Sequence, residues 1–361
     1  MVRNENPIKV LLISNLPPPA SGIGSWTKRY LEWAETNHDL QADIVNTAVI
    51  GNRAINITSG RTLLEEANRT AKILRDLHHK LRAYQPDIVH LNSPCAKFGI
   101  MRDYLCALMA KKRGIPVVVH FRCSIEDQIK GNKVQLYFLK KLANVASVLL
   151  VLNTPSRQYL KRTTDKNSIL VANYIDESYM ITQAKSITPK IKTVLFVGHV
   201  IKTKGIMELI NAAQCLSDID FILAGPVSPQ ISDLPITNNV KLLGQVDESA
   251  VRELLDNADI FLFPSYTEGF SNALLEGMAR GVPVITTPVG ANADMVEGQG
   301  GVLVRVGSSD DIVNAVNDLA PVSVREAMSD WNVKKVETKY TINNVMNDLI
   351  EVYRNVSHKG A

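Results

Sequence analysis

Short apolar runs rich in β-branched residues alternate along this chain with longer segments whose apolar positions recur every three to four residues. In the first half the runs are residues 9–13, 43–45, 87–91, 117–119 and 148–152. Residues 62–83 and 99–113 between them have helical periodicity. The second half restarts the pattern, with runs at 194–197, 221–224, 240–243, 260–263, 284–286 and 302–304. Strand-sized runs interleaved with amphipathic segments predict βαβ units and parallel sheets. Residues 182–192 are polar, contain Pro189 and lack periodicity, so they read as a linker. A long polar helix over 334–356 closes the pattern. The expected fold is α/β, with two Rossmann-like doubly wound domains facing across a cleft. Their expected extents are 1–185 and 186–335, with a C-terminal helix over 336–361 packing back toward the first domain.

Composition narrows the class. A length of 361 residues suits two domains, and 45% apolar residues suffice for two cores. No apolar run approaches the ~20 residues of a membrane span, the longest being 147–152. The first strand follows a short polar lead, so no signal peptide is expected. Cys95, Cys106, Cys123 and Cys215 are scattered without a CxxC pair, which fits reduced thiols in the cytoplasm. The net charge of +4 hides an asymmetry: residues 1–185 hold 26 Lys and Arg against 15 Asp and Glu, and residues 186–361 hold 14 against 21. A basic half suits an anionic acceptor or anionic lipid headgroups, unless its lysines merely solvate helices. Nucleic acid is not expected, because no aromatic or motif signature accompanies the charge.

The richest stretch runs from Ser265 to Ile285. Glu268 lies in a polar loop after the run 260–263, and Glu276 follows with seven residues between them (Gly269 to Leu275), inside a short helix that ends at Gly281. Ligands of α/β proteins bind where strand carboxyl ends meet helix N-termini, and the free helix amides there favour anions. A carboxylate at that spot accepts hydrogen bonds only from a ligand that donates them, as a sugar does. The unit opening the second half carries Gly198, His199, Lys202, Lys204 and Gly205 between a strand and a helix. A lysine ahead of a helix adds a point charge to an anion site; the alternative is a solvated lysine pair. The first strand leads into a Pro/Gly loop with Gly22 and Gly24, which would let the backbone approach a bulky or anionic group. Its spacing is not GxGxxG. His120 and Arg122 end the run after Pro116, at the edge expected to face the cleft, where a packing role is the alternative. Asp218 and Asp220 form a DxD triplet at the wrong end of a strand, so no metal site is expected there. Residues 130–144 combine Lys130, Lys133, Lys140 and Lys141 with apolar positions, which suits either an anionic membrane surface or a solvated helix face.

These motifs together resemble the retaining nucleotide-sugar glycosyltransferases of family 4, with the GT-B architecture, over nearly the whole length. The resemblance rests on Gly22 and Gly24, on residues 86–90, on Lys204–Gly205, on Asn173 to Asp176, and above all on Glu268 through Pro283. It implies that Glu268 contacts donor-sugar hydroxyls, that backbone amides around Gly269, Phe270, Ser271 and Asn272 hold the sugar and diphosphate, that Glu276 binds the ribose, and that Lys204 neutralises the leaving diphosphate. It implies no metal and no cofactor beyond the nucleotide-diphosphate-sugar donor. Two departures stand out. His199 occupies a position usually held by Arg beside the diphosphate. Arg122 aligns with the family's cleft histidine, while His120 lies two residues earlier on the same strand face; His120 is taken as catalytic and Arg122 as substrate-binding. The expected acceptor is a saccharide or lipid-linked saccharide in polysaccharide or glycoconjugate synthesis, at the cytoplasmic side and peripheral to the membrane. The alternatives are a nucleotide-sugar epimerase of the same architecture and a non-catalytic sugar-nucleotide or glycan-binding protein.

Overall fold

The computed structural model describes residues 7–18, 21–48 and 63–357. Pro19, Ala20 and Thr62, which belong to the expected glycine loop and second helix, lie outside them. The chain divides into two compact units, Met1–Ala172 with Val345–Ala361, and Asn173–Asn344.

In the first unit, strands β1 (Ile8–Ser14), β2 (Leu40–Asn46), β3 (Ile88–Ser93), β4 (Val117–Phe121), β5 (Val148–Val151) and β6 (Ile169–Leu170) form one parallel sheet. The strand order is β2-β1-β3-β4-β5-β6. The direction of winding therefore reverses between β1 and β3. Strands β3 and β4 are buried along their whole length, because helices cover both faces of such a sheet. Leu11, Ile13, Val89, Leu91, Val119 and Phe121 belong to one continuous core. The two-residue strand β6 is exposed and carries no periodic signal, so the sequence pattern does not mark it.

The second unit holds β7 (Thr193–Val197), β8 (Asp220–Ala224), β9 (Val240–Gly244), β10 (Ile260–Phe263), β11 (Val284–Thr286) and β12 (Val302–Leu303). Their order is β12-β11-β10-β7-β8-β9. Counted within this unit it is the 3-2-1-4-5-6 order of a dinucleotide-type fold, and the switch point lies between β7 and β10. The rings of Phe196 and Phe263 stack across this pair at 5.7 Å. Gly277 lets the helix Asn272–Ala279 lie close on β10, since a Cβ there would stand 3.0 Å from the Phe261 ring.

Three expected boundaries move. The units divide at Ala172/Asn173 rather than at 185/186. Residues 182–192 are not a free linker: Lys185 Nζ donates to the Leu255 and Asp256 carbonyls, and Asp259 accepts from the Thr188 hydroxyl and from the Lys192 and Thr193 amides. A polar segment without periodicity looks like a linker when its partners lie some 70 residues away. The long C-terminal helix is two helices, Val322–Lys339 and Ile342–Ser357. The first ends at Tyr340, whose carbonyl accepts from the Ile175 amide and whose ring edge meets Phe270. Thr341 caps the second by accepting from the Asn344 amide.

Candidate active site

In the first unit two of the expected site residues, His120 and Arg122, fall into a buried polar layer. Ser21 caps the helix Gly22–Thr36, and its hydroxyl accepts from the Gly24 amide at 3.0 Å. Gly24 is thus a buried residue of the first helical turn, and a Cβ on it would meet Ser21 Oγ at 2.9 Å. Gly22 is exposed at the helix start. His120 is 0% exposed and Arg122 is buried beside it. An Arg122 terminal nitrogen lies 3.3 Å from His120 Nδ1, and the guanidinium stacks 4.2 Å over the Trp26 ring. Burial, then the charges of Arg122 and His90, hold His120 well below the usual histidine range. His90, also fully buried, is pushed down to about 3 by burial first and the Arg122 charge second. Its Nδ1 lies 2.6 Å from the Tyr353 hydroxyl, which in turn lies 3.1 Å from the Tyr30 hydroxyl. Burial thus disfavours the charged form of both histidines. Tyr353, 263 positions from His90, gave no local sequence signal.

In the second unit two of the expected residues, Lys204 and Glu268, meet. The carboxyl ends of β7 and β10 lead into two loops that pair directly, the Tyr266 amide donating to the Thr203 carbonyl at 3.0 Å. Gly205 makes this approach possible: its φ is +73°, and a Cβ would stand 2.1 Å from the Pro264 carbonyl oxygen. Lys204 and Glu268, one from each loop, form an ion pair through Nζ and Oε1. Their side chains are 24% and 11% exposed, so the pair is reachable but mostly desolvated. The Ser265 hydroxyl donates to the same Glu268 oxygen at 2.8 Å, and Lys204 Nζ stands 5.4 Å above the Phe263 ring. A third loop supports Glu268 from behind. Gly290, with φ +56°, brings its backbone so close that a Cβ would stand 2.1 Å from the Glu268 carbonyl oxygen. Ser265 and Gly290 were absent from the expected site; the Pro-Val-Gly turn after a buried strand was the available sign of Gly290.

Past Gly269 and Phe270 the loop enters the helix Asn272–Ala279, with Ser271 at its N-cap. The first amides of any helix lack an intrahelical acceptor, and the Ser271 side chain makes no capping bond to them. Glu276 is one turn along from Asn272, on the same helix face. Asn173 Nδ2 donates to Asn272 Oδ1 at 2.8 Å. Burial and the nearby Glu276 charge both raise the Tyr179 phenol. The motif from Asn173 to Asp176 thus belongs to this unit and braces the start of that helix. His199 is exposed just beyond β7. The DxD pair lies elsewhere: Asp220 begins β8 and pairs with Lys241 at 2.7 Å. Among the described residues no group of three or more His, Cys, Asp or Glu side chains is placed to hold a metal ion.

An ammonium, two carboxylates and open helix amides at a topological switch point can bind a polyol joined to an anion. Comparisons with known proteins agree with that chemistry. Residues 191–321 match the family described as glycosyl transferases group 1. An uncharacterised glycosyltransferase of Methanocaldococcus jannaschii is 25% identical over 287 residues, covering 75% of this chain and 76% of that protein. The capsular polysaccharide biosynthesis glycosyltransferase CapM of Staphylococcus aureus is 30% identical over 171 residues, 44% of each chain, so this match spans under half of CapM. Among solved structures, sucrose-phosphate synthase of Thermosynechococcus elongatus superposes with a TM-score of 0.77 at 16% identity, covering 97% of this chain and 99% of that one. HepE of Anabaena, solved with UDP and glucose, gives 0.68 at 18% identity over 96% of this chain and 99% of its own. At such identities the structures speak for the fold alone, two Rossmann-like units of GT-B type. The group 1 domain at residues 191–321 and this fold together support a GT-B glycosyltransferase.

Proposed function

We propose that the chain transfers a sugar from a nucleoside-diphosphate sugar to a saccharide or lipid-linked acceptor, with retention of anomeric configuration, in the synthesis of a polysaccharide or glycoconjugate. The observation that carries this reading is the Lys204–Glu268 pair beside the uncapped helix Asn272–Ala279. Breaking the anomeric carbon–oxygen bond builds negative charge on the departing diphosphate. Lys204 and the helix amides supply fixed positive potential there, so no metal or other cofactor enters the reading. Glu268, held by Ser265 and backed by Gly290, accepts hydrogen bonds from sugar hydroxyls. Glu276 accepts from the ribose. The name of CapM and the UDP and glucose bound to HepE support the class of product and of donor. The basic first unit takes the acceptor. Its helix Lys133–Val145 exposes Val134 (63%) and Tyr137 (55%) among Lys133, Lys140 and Lys141, a surface suited to peripheral contact with anionic lipid. Among the described residues no helix is long and apolar enough to cross a membrane.

A thermal-shift panel of nucleoside diphosphates and their sugars tests the donor. A ligand at 100 times its Kd stabilises the folded form by about 2.7 kcal/mol, so the matching nucleotide raises the midpoint. If none does, the reading fails. Donor conversion without acceptor would indicate an epimerase instead, and the anomer of the transferred sugar, read by NMR, decides retention.

A further inference from the structure

We infer that Asn292 is a positioning residue that keeps the N-terminus of the helix Asn272–Ala279 open for an anionic group; this rests on the donor-site reading above. A serine at an N-cap ordinarily accepts a hydrogen bond from the second or third helical amide. Ser271 does not. Its hydroxyl is turned the other way and donates to Asn292 Oδ1 at 2.6 Å. Asn292 is 0% exposed, and what orients it is also buried. The Thr286 hydroxyl donates to the Phe263 carbonyl at 2.8 Å. Its oxygen then has only lone pairs left to offer, so Asn292 must present its amide nitrogen to it, which it does at 3.0 Å. With Nδ2 fixed on Thr286, Oδ1 can only face Ser271, and Ser271 must be the donor. A relay from the carboxyl end of β10 through Thr286 and Asn292 thus dictates the direction of the Ser271 hydroxyl.

The consequence reaches the site. With Ser271 held away, the amides of Ala273 and Leu274 are not consumed by a side-chain cap. A ligand anion meets them without first displacing a hydroxyl. Once Asn292 is removed, Ser271 is free to rotate onto those amides and compete with the ligand. The competing bond has the strength of one N-cap interaction, which corresponds to roughly fivefold in a dissociation constant.

The test is calorimetric titration of the full-length protein with UDP and, separately, with inorganic pyrophosphate. Asn292→Ala should bind about fivefold more weakly, and adding Ser271→Ala to it should recover most of that loss, because the competing hydroxyl is gone. Thr286→Val, nearly isosteric, should show a smaller loss that Ser271→Ala also reverses. In turnover assays the single variants should raise the donor KM and leave kcat within about twofold, the signature of lost uniform binding. Unchanged binding in Asn292→Ala overturns the inference while leaving the donor site standing. A loss that Ser271→Ala does not reverse also overturns it, since Asn292 would then act only on folding. No binding of pyrophosphate, of UDP or of any other nucleoside diphosphate in the panel by the wild type overturns the donor-site reading and this inference with it.

Discussion

Replacing His90 with glutamine should remove a pH-dependent share of the stability of the first unit. The folded-state value of His90 is about 3, against an ordinary 6.5, through burial and the Arg122 charge. A histidine depressed in the folded state takes up its proton in the unfolded state first. Its contribution is fully present above pH 6.5 and is lost as the pH falls toward 3. At pH 5 the unfolded side chain is already 1.5 units below its own pKa, which at 1.36 kcal/mol per unit costs about 2 kcal/mol. His120 acts with the same sign. Carboxylates ordinarily titrate near 4, so most of their contribution lies below this window. The assay is urea unfolding at pH 7.5 and 5.0, followed by the fluorescence of Trp26. That ring is 4% exposed and lies within 6 Å of His90, and Trp33→Phe and Trp331→Phe in the background leave it as the sole reporter. The wild type should lose about 2 kcal/mol more than His90→Gln between the two pH values. Glutamine also alters the Tyr353 contact, but that offset is the same at both pH values and cancels. Equal losses in the two proteins would refute a neutral buried His90.

Lys204→Ala should lower kcat by about two to three orders of magnitude, the usual effect of deleting one donor aimed at developing charge; a loss under threefold in a folded protein removes Lys204 from the reaction. Gly290→Ala should destabilise the second unit by at least about 1–2 kcal/mol for its left-handed backbone alone, and the clash with the Glu268 carbonyl should also impair donor turnover; unchanged melting and turnover would contradict the close approach. Glu276→Ala should weaken donor affinity with little change in kcat, measured by titration, and unchanged affinity would end its ribose role. Vesicles containing anionic lipid should sediment the protein at low salt, and replacing Lys133, Lys140 and Lys141 with glutamate should abolish this; absence of sedimentation by the wild type would remove the membrane contact.

The strands with two buried faces were legible from the sequence because continuous apolar runs cannot be solvated. Among the described residues eleven of the twelve strands coincide with runs read from the sequence, although β2, β9 and β12 keep exposed positions, and the exposed pair Ile169–Leu170 gave no signal. Lys204, Glu268 and Glu276 were singled out because each lies in or just after a loop that follows a strand, where such folds gather ligands; the structure pairs Lys204 with Glu268. Segment boundaries were not, since Lys185 and Asp259 or Tyr340 and Ile175 meet only after the chain has folded. The tertiary structure alone decided which polar residues are interior. His120 and Arg122 stand on a strand end that the pattern made a site, and the structure buries them in one layer with Trp26, His90 and Tyr353. It also decided that Gly205 and Gly290 hold backbones against Pro264 and Glu268, and that Asn292 directs Ser271. Periodicity along a chain reports which faces avoid water. Which partner lies within 3 Å of a polar atom depends on how distant segments are brought together, and no local pattern encodes that.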